Sequence, residues 1–374
     1  MSMEADRVLT LRELNRATLA RQMLLDRESL PVSDAVERLV GLQAQVPNPP
    51  YIGLWTRLRD FRRDDLTRLL EQREVVRATL MRATLHLMTA GDYLLLRPAL
   101  QPALTRSLRS IGGKRLEGLD LDRLVAAART SVEEAPRTFV ELRGLLSGLE
   151  PDRDPSALAY LVRTQLPLVQ APPGGVWGTG GSPTHALPES WLGAPLAAPN
   201  ESLRALLFRY LVAFGPASVK DIQTWSGLVR LKDPIEELKP ELRIFRDENG
   251  NELLDLSDAL LPPADAPAPP RFVPEYDNLV LAHADRTRVI SDEHRSRVFL
   301  SAARVRATFL LDGFVGGTWK IEKTKGAATL VIEPFEPLPK AARDALMEEG
   351  ERLIRFVADD AEAFEVRLSY SKSG

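Results

Sequence analysis

Two glutamines in a short extended segment are the residues whose types and spacing point most directly to chemistry. Segment 42–46, Leu-Gln-Ala-Gln-Val, alternates apolar and amide side chains, and the proline-rich run 47–50 follows it at once. The prolines disfavour helix, and in an extended chain side chains two residues apart face the same way. We therefore expect Gln43 and Gln45 to project from one face, while the three apolar residues anchor the other.

A pair of carboxamides can support one kind of bond cleavage. Glutamine is neutral and cannot act as a true general base, but its carbonyl oxygen can hold a water and face a developing positive charge. That is sufficient when the leaving group is already cationic, as in a purine alkylated at N7 or N3. Departure of the base leaves an oxocarbenium-like sugar, which preorganised amide oxygens stabilise. The glutamine pair therefore predicts excision of cationic bases and poor activity on uracil. The alternative interpretation of segment 42–46 is a non-catalytic loop whose glutamines are solvated or hydrogen-bonded to the backbone.

The elements that must position this segment follow a pattern of short helices and a hairpin. A capping box, Thr10 with Glu13, begins the first helix. The predicted helices cover 10–25, 34–41 and 66–73, and the predicted strands 75–80 and 84–89. Three short helices followed by a two-stranded wing are typical of the winged-helix variant of helix-turn-helix.

The same pattern occurs twice more along the chain. In the second unit, the predicted elements are helices 121–130, 138–149 and 156–165, strand 166–170, a Pro/Gly turn, a return through 176–177 and a linker over 181–200. In the third, they are a helix from near 201 to Gly215-Pro216, a helix over 220–228 capped by Ser218, and strands 243–246 and 252–256 around the turn signal Asn249-Gly250. A proline-rich connector, 261–270, follows.

The remainder of the chain is β-rich. The predicted strands are 279–282, 298–300, 309–315, 318–322 and 328–332, followed by helix 340–358 and strand 364–369. The sequence predicts an α+β fold with three tandem winged-helix units and a β-rich C-terminal region. The predicted divisions are 8–115 with the glutamine segment, 116–195 with the linker, 196–270 and 271–374.

Composition excludes several classes of protein. The 374 residues include no cysteine and only four histidines, none paired at helical metal-ligand spacing, so we expect no metal and no cofactor. No run approaches the roughly 20 apolar residues that span a bilayer, and the N-terminus lacks the apolar core of a signal peptide. We expect a cytoplasmic monomer that makes no membrane contact and associates with the nucleoid when bound to DNA.

The charge is unevenly distributed. The formal net charge is −3, but residues 1–130 carry +5, 131–270 carry −7, 271–330 carry +3 and 331–374 carry −4. A segregated field is more informative about a binding site than the total charge. This distribution permits DNA binding without requiring it.

Several segments, in order along nearly the whole chain, resemble the AlkZ-like superfamily of winged-helix DNA glycosylases. The matching stretches are 42–45 (LQAQ), 82–87 (RATLHL), 214–218 (FGPAS), 222–227 (IQTWSG), 274–278 (PEYDN), 283–288 (HADRTR) and 311–314 (LDGF). The resemblance implies a C-shaped scaffold with a basic concave surface for duplex DNA. It also implies a catalytic motif of glutamine, an aliphatic residue, and glutamine or aspartate, which Gln43, Ala44 and Gln45 match in the glutamine form.

The glutamine form points to a subgroup linked to natural-product alkylators. Its members unhook interstrand cross-links or remove bulky N7-guanine adducts, which implies a role in antibiotic self-resistance and a duplex carrying alkylated bases as the partner. No lysine lies in the motif, so a Schiff-base lyase step is not expected.

Six residues outside the glutamine segment are candidate DNA contacts. They are Arg82, His283, Asp285, Arg286, Arg288 and Lys320. The alternative for the four residues within 283–288 is a structural ion-pair network. Nearby His86 and Trp319 are better interpreted as a hydrogen-bonded histidine and a packing tryptophan than as DNA contacts.

Two functions of other classes remain open. One is a non-catalytic winged-helix regulator, whose recognition helix over 219–228 would display Lys220, Gln223 and Thr224. It would leave a footprint on an unmodified operator. The other is a resistance protein that sequesters a drug or adduct without turnover, which predicts stoichiometric protection.

Overall fold

A computed structural model describes residues 7–301 and 303–370, with strands and α-helices numbered here in chain order. The strands are β1 (Arg7–Leu9), β2 (Leu42–Gln43), β3 (Val75–Thr79), β4 (Leu85–Thr89), β5 (Arg137–Thr138), β6 (Val169–Gln170), β7 (Thr184–Ala186), β8 (Leu242–Asp247), β9 (Glu252–Leu256), β10 (Arg271–Val273), β11 (Thr308–Leu311), β12 (Phe314–Thr324), β13 (Ala327–Pro334) and β14 (Ala363–Leu368). The helices are α1 (Leu11–Arg21), α2 (Val32–Arg38), α3 (Asn48–Arg57), α4 (Arg63–Glu71), α5 (Ala90–Gly112), α6 (Leu121–Glu134), α7 (Phe139–Leu149), α8 (Pro155–Gln165), α9 (Pro188–Leu192), α10 (Pro199–Phe214), α11 (Val219–Ser226), α12 (Lys232–Leu238), α13 (Asp292–Val298) and α14 (Lys340–Val357).

The described strands form three sheets. Six of them make one sheet in the order β2-β4-β3-β6-β7-β5, so the first predicted hairpin pairs directly with strands of the second unit. A three-stranded sheet, β1-β8-β9, adds the N-terminal strand in parallel to the third predicted hairpin. The C-terminal region forms a five-stranded sheet, β10-β11-β12-β13-β14. The mixed α/β architecture agrees with the predicted α+β class.

The local signals that involve hydrogen-bonding side chains are confirmed. The capping boxes of Thr10 with Glu13 and of Thr138 with Glu141 begin α1 and α7, and Ser218 caps α11. Both central hairpins, β3–β4 and β8–β9, have antiparallel pairing. Each of these features depends on contacts within a few residues, which a sequence pattern reports well.

Several predicted elements are wrong, and the reasons are local. The return strand predicted at 176–177 is a turn, and the strand forms instead as β7, within the segment predicted to be a linker, which also contains α9. Segment 279–282 begins in a 3-10 helix, Asn278–Val280, because the Asp277 side chain accepts from the Leu279 amide at 2.9 Å. The strand predicted at 298–300 overlaps the end of α13, which Ser291 caps.

The cores do not follow the predicted divisions strictly. One apolar cluster takes buried side chains from all three predicted winged-helix units, including Val76, Val169, Tyr210 and Trp225. A second cluster lies almost wholly within the second unit, among α6, α7 and α8. The three units therefore share a core that includes the hairpin β3–β4, with which the glutamine strand β2 pairs. Among the described residues, no helix combines the length and apolarity needed to cross a membrane.

Candidate active site

The glutamine segment lies at the edge of the six-stranded sheet. Strand β2 pairs antiparallel with β4, so that Gln43 lies opposite His86. The pairing continues one residue further, where the Ala44 amide donates to the Leu85 carbonyl at 2.7 Å. The Leu85 amide then donates to the side-chain oxygen of Gln45 at 3.2 Å, so this carboxamide replaces the backbone acceptor of a regular ladder. The Gln45 side chain thereby ends the sheet.

The expected strand alternation holds only at the start of the segment. The regular strand ends at Gln43, and Val46, which was expected to anchor the buried face, is 44% exposed. The prolines that were expected to forbid helix instead lie in the first turn of α3, where φ near −65° is compatible and an amide donor is not needed. The bend between β2 and α3 separates the surroundings of Gln43 from those of Gln45.

Gln43 is held by an arginine from the turn between β3 and β4. The side chain of Gln43 is buried, and its oxygen accepts from Nη2 of Arg82 at 2.7 Å. Arg82 has a left-handed φ of 54° within the 3-10 turn Met81–Ala83, between the two strands of the hairpin. Its guanidinium also donates to the Trp225 carbonyl at 2.6 Å and to the Asn278 side chain at 3.3 Å. Arg82 thus connects the glutamine to α11 and to the segment after β10.

The side chain of Arg82 is partly buried. Burial lowers the pKa of Arg82 to about 10, with a further contribution from nearby Arg286. The guanidinium remains cationic at neutral pH, and its three acceptors, in Gln43, Trp225 and Asn278, are uncharged. Its hydrogen bonds lie within the protein, which favours a positioning role over the direct DNA contact proposed from the sequence.

Asn278 contacts both Arg82 and the backbone just before the glutamine segment. Its amide nitrogen donates to the Gly41 carbonyl, just before β2, at 3.2 Å, and its oxygen accepts from Arg82. Gly41 itself has a φ of +82° and lies so close to β4 that a Cβ there would meet the Leu87 carbonyl at 2.8 Å. The backbone at Gly41, just before the glutamine segment, is therefore held in one conformation close to β4.

His86 is buried opposite Gln43. Its Nδ1 lies 3.1 Å from the Thr84 carbonyl, and Nε2 has no hydrogen-bond partner among the described residues. Burial, followed by the charge of Arg82, lowers the pKa of His86 to about 3. The ring is therefore neutral at physiological pH, as expected for a hydrogen-bonded core histidine.

Arg77 holds the backbone of the glutamine segment. Its Nε donates to the Ala44 carbonyl at 2.8 Å and its Nη2 to the Gln45 carbonyl at 3.1 Å. Nη1 donates to the side-chain oxygen of Gln170 on β6 at 2.6 Å. Burial and the nearby charge of Arg163 lower the pKa of Arg77 to about 10. Sequence reasoning missed this residue, although a charged side chain at the centre of an otherwise apolar hairpin strand is a usable signal.

A small polar cleft adjoins Gln45. Its volume is about 270 Å³, and Arg77, Pro47 and the Pro/Gly-rich loop 173–184 line the rest of it. The loop is tied to the start of α3 because the Gly178 amide donates to the Asn48 side chain at 2.9 Å. Gln45 is thus accessible from a defined cleft, whereas Gln43 is enclosed.

The predicted DNA contacts within 283–288 fall into two groups. His283 and Arg288 are buried and bind backbone carbonyls of Phe214 and Pro216, at 3.0 and 2.9 Å. Burial lowers the pKa of His283 to about 3. A side chain enclosed in this way cannot contact a phosphate, so the structure favours a structural role for both residues, each held by a backbone carbonyl; the ion-pair network of the alternative interpretation stays a prediction.

The remaining candidates lie nearer the surface. Asp285 is exposed and accepts from the Thr287 amide and hydroxyl, at 2.9 and 2.7 Å. Arg286 is partly buried, stacks over Phe299 with its guanidinium carbon 4.2 Å from the ring centroid, and lies close enough to Arg82 to affect its pKa. Lys320 is 52% exposed on β12, where its amine pairs with Glu322 at 2.7 Å. Of the six candidates, Arg82 thus contacts Gln43, and Arg286 lies close to Arg82.

The chemistry available at the two glutamines follows from their hydrogen bonds. A carboxamide oxygen has two lone pairs, and one on each glutamine accepts from Arg82 or Leu85. Each oxygen therefore retains a lone pair for a water O–H. Within the described chain, neither amide nitrogen donates a hydrogen bond to protein, so each can bind the oxygen of a water or a sugar. Both amides are fixed by donors that do not need to reorganise during a reaction.

Three buried histidines predict how stability depends on pH. Burial lowers the pKa of His86 and of His283 to about 3 and that of His185 to about 4, against about 6.5 in an unfolded chain. The unfolded chain therefore binds more protons between these values, so stability falls as the pH drops below about 6.5. We expect a loss of about 1.4 kcal/mol per pH unit for each histidine, measurable by urea unfolding between pH 7 and 4.5. The variant His185→Gln should reduce this slope, and an unchanged slope would contradict the assignment.

Comparisons with known proteins agree with one another. A family model described as "DNA glycosylase AlkZ-like" matches residues 36–356. A curated relative named interstrand DNA cross-link repair glycosylase, from Streptomyces sahachiroi, is 24% identical over 377 residues, covering 90% of this chain and 94% of that protein. The solved structure of Streptomyces sahachiroi DNA glycosylase AlkZ superposes with a TM-score of 0.79 at 23% identity, covering 97% of this chain and 100% of that one. The family match extends over most of the chain, and the structural similarity extends over nearly all of it.

Proposed function

The chain belongs to the AlkZ-like DNA glycosylase family, and from that premise we propose that it is a monofunctional glycosylase for cationic, N-alkylated purines in duplex DNA. The observation that carries the proposal is the fixation of Gln43 and Gln45 by different donors at one sheet edge. Their spacing also matches the motif that the family resemblance implies.

In this proposal both amides act at the sugar of the lesion nucleotide. Gln45, which lines the open cleft, holds the water through its remaining oxygen lone pair. Gln43, held by Arg82, binds and orients the same water or the sugar from the buried side. As the bond to the cationic base breaks, the amide dipoles face the oxocarbenium-like sugar. The base leaves with the electron pair of the broken C–N bond and is neutral. Water adds to the sugar carbon and loses its proton to bulk water, which gives an abasic site.

The lesion is proposed by class. N7-alkylguanine, a bulky natural-product adduct or an interstrand cross-link each provides a cationic leaving group that needs no protonation. The curated relative's name refers to cross-link repair, which supports testing cross-linked duplexes. A role in antibiotic self-resistance is proposed from the family resemblance alone. We propose that Arg286 and Lys320 contact the DNA backbone, with duplex DNA bound by a monomer.

The proposed architecture retains three winged-helix units. The helix-and-hairpin order recurs as α1–α4 with β3–β4, α6–α8 with β6–β7, and α10–α12 with β8–β9. We retain the divisions 8–115, 116–195, 196–270 and 271–374 as units of this repeated pattern, although they share a core.

Comparing the release of a cationic base with that of a neutral base tests the proposed substrate class. We expect the wild-type chain to release N7-methylguanine from a duplex at least about 100-fold faster than uracil, because no group is proposed to protonate a neutral leaving group. The readout is base release together with strand cleavage before and after alkali. The strand should stay intact until alkali is added, and borohydride should trap no covalent adduct. Comparable release of uracil would contradict the proposal, as would a trapped adduct.

A further inference from the structure

Two neighbouring arginines have no acidic partner among the described residues: Arg77, which lines the cleft with Gln45, and Arg163, whose charge acts on Arg77. The guanidinium of Arg77 donates to Ala44, Gln45 and Gln170, and that of Arg163, on α8, donates to the Thr79 hydroxyl at 3.2 Å. Neither meets a carboxylate within residues 7–301 and 303–370. A guanidinium has five N–H donors, so both retain donors that these contacts do not use. Charges that are withdrawn from water without a counterion are costly.

The charges of Arg77 and Arg163 affect neighbouring pKa values, including that of Arg77 itself. Burial lowers the pKa of Arg163, and the charge of Arg163 contributes to the lowered pKa of Arg77. Both arginines also contribute to the lowered pKa of His185. The site therefore has a concentrated positive potential, and the neutral state of the histidine does nothing to offset it.

The cleft at this position is small and has several polar groups in its lining. It has a volume of about 270 Å³ and is lined by Gln45, Arg77 and the Pro/Gly-rich loop 173–184, including the hydroxyl-bearing Thr179, Ser182 and Thr184. Its wall is closely packed, because a Cβ at Gly175 would lie 3.0 Å from Cδ of Arg77. The volume is small for an alkylated purine with a bulky substituent, but ample for one phosphate group.

The positive charge of the two arginines indicates that the cleft binds an anionic group. A cationic base would be repelled by two unpaired guanidinium groups, whereas a phosphate supplies the counterion that both of them lack. We propose that the cleft lined by Gln45 and Arg77 binds a backbone phosphate next to the lesion nucleotide, with Arg163 contributing to the same positive site. This inference rests on the proposed function and extends it to the DNA backbone.

A phosphate in this cleft would serve two purposes. It would fix the register of the damaged strand against Gln45, because phosphate contacts position DNA without reading its sequence. It would also bring one negative charge close to the sugar that becomes cationic when the base leaves. The arginines would then be neutralised in the complex instead of opposing the reaction.

The test replaces single phosphates with neutral methylphosphonates. Each linkage within two nucleotides of an N7-methylguanine is substituted in turn, and single-turnover base release is measured with the wild type, Arg163→Gln and Arg163→Lys. One linkage should stand out, with release by the wild type slowed about tenfold or more. Arg163→Gln should be slow on the all-phosphate duplex and show at least a threefold smaller penalty at that linkage, whereas Arg163→Lys should retain most of the penalty. Arg204→Gln, which breaks an exposed pair with Glu241, is the matched control and should behave as the wild type.

A binding measurement separates failure of this inference from failure of the proposed function. The salt dependence of duplex affinity is measured for Gln43→Ala/Gln45→Ala with and without Arg163→Gln. Loss of one phosphate contact should reduce the slope of log K against log salt by about one. A methylphosphonate effect that is equal at every linkage, or equally large with Arg163→Gln, would overturn the inference even if base release is normal. If the wild type releases no base but the slope and affinity depend on Arg163 as stated, the phosphate site stands and the glycosylase proposal fails.

Discussion

Replacing Arg57 with methionine should lower the free energy of unfolding by about 3–5 kcal/mol, because the change leaves a buried carboxylate without its partner. Arg57, at the end of α3, and Asp277 form a two-point ion pair with Nη–Oδ distances of 2.9 and 2.8 Å. Both side chains are 1% exposed. The same guanidinium donates to the backbone carbonyls of Gln22 and Gly53, at 3.0 and 2.9 Å, so its loss leaves several acceptors unsatisfied.

This ion pair also supports the candidate site. Asp277 caps the 3-10 helix that begins with Asn278, and Asn278 contacts both Arg82 and Gly41. We expect Arg57→Met to reduce base release in addition to stability. Urea unfolding provides the measurement, with Arg204→Met as the control for an exposed pair and an expected loss below about 1 kcal/mol. The double variant Arg57→Met/Asp277→Leu should recover part of the loss, and a loss below 1 kcal/mol for Arg57→Met alone would contradict the account.

Alanine at either glutamine should reduce the rate of base release about 100-fold or more, because each substitution removes a fixed dipole from the site of developing charge. The two effects should differ in kind. Gln45→Ala removes an acceptor that ends the sheet, whereas Gln43→Ala leaves the buried guanidinium of Arg82 without one of its acceptors. We therefore expect Gln43→Ala to lower stability as well, by about 1–3 kcal/mol.

Single-turnover rates and thermal unfolding of the same samples separate these effects. Losses in the single and double variants should be far from additive, since in the proposed mechanism both amides act on one water and one sugar. Gln45→Glu is the informative companion, because it preserves an acceptor for the Leu85 amide while adding a negative charge near the sugar. A Gln45→Ala variant that retained more than about a third of the wild-type rate would remove Gln45 from the mechanism.

The sequence predicted the parts of the fold that depend on short-range contacts. The β3–β4 hairpin, the capping boxes and the end of α10 before Gly215 follow from side chains within a few residues of each other. Helix α5 was missed because it contains Pro98 and Pro102, which a local pattern counts against helix although packing stabilises it. Helix α3 was missed because the prolines at its start were interpreted as helix breakers.

The sequence indicated the two glutamines and Arg82, but not the other residues that fix the segment or the geometry of the site. Segment 42–46 was identified from an alternating pattern, and the regular strand stops after its second residue. The groups that fix it, Arg77, Arg82 and Asn278, come from positions 30 or more residues away along the chain. Such contacts depend on how the hairpin, α11 and the 3-10 helix pack together, and no local periodicity encodes that packing.

The most direct test of the central claim is base release from a duplex that contains a single N7-methylguanine, under single-turnover conditions. The wild-type chain is compared with Gln43→Ala/Gln45→Ala, and duplex affinity is measured for both proteins. We predict release by the wild type, an alkali-labile abasic product, and no detectable release by the double variant at nearly unchanged affinity. Equal release by the two proteins would contradict the assignment of chemistry to Gln43 and Gln45.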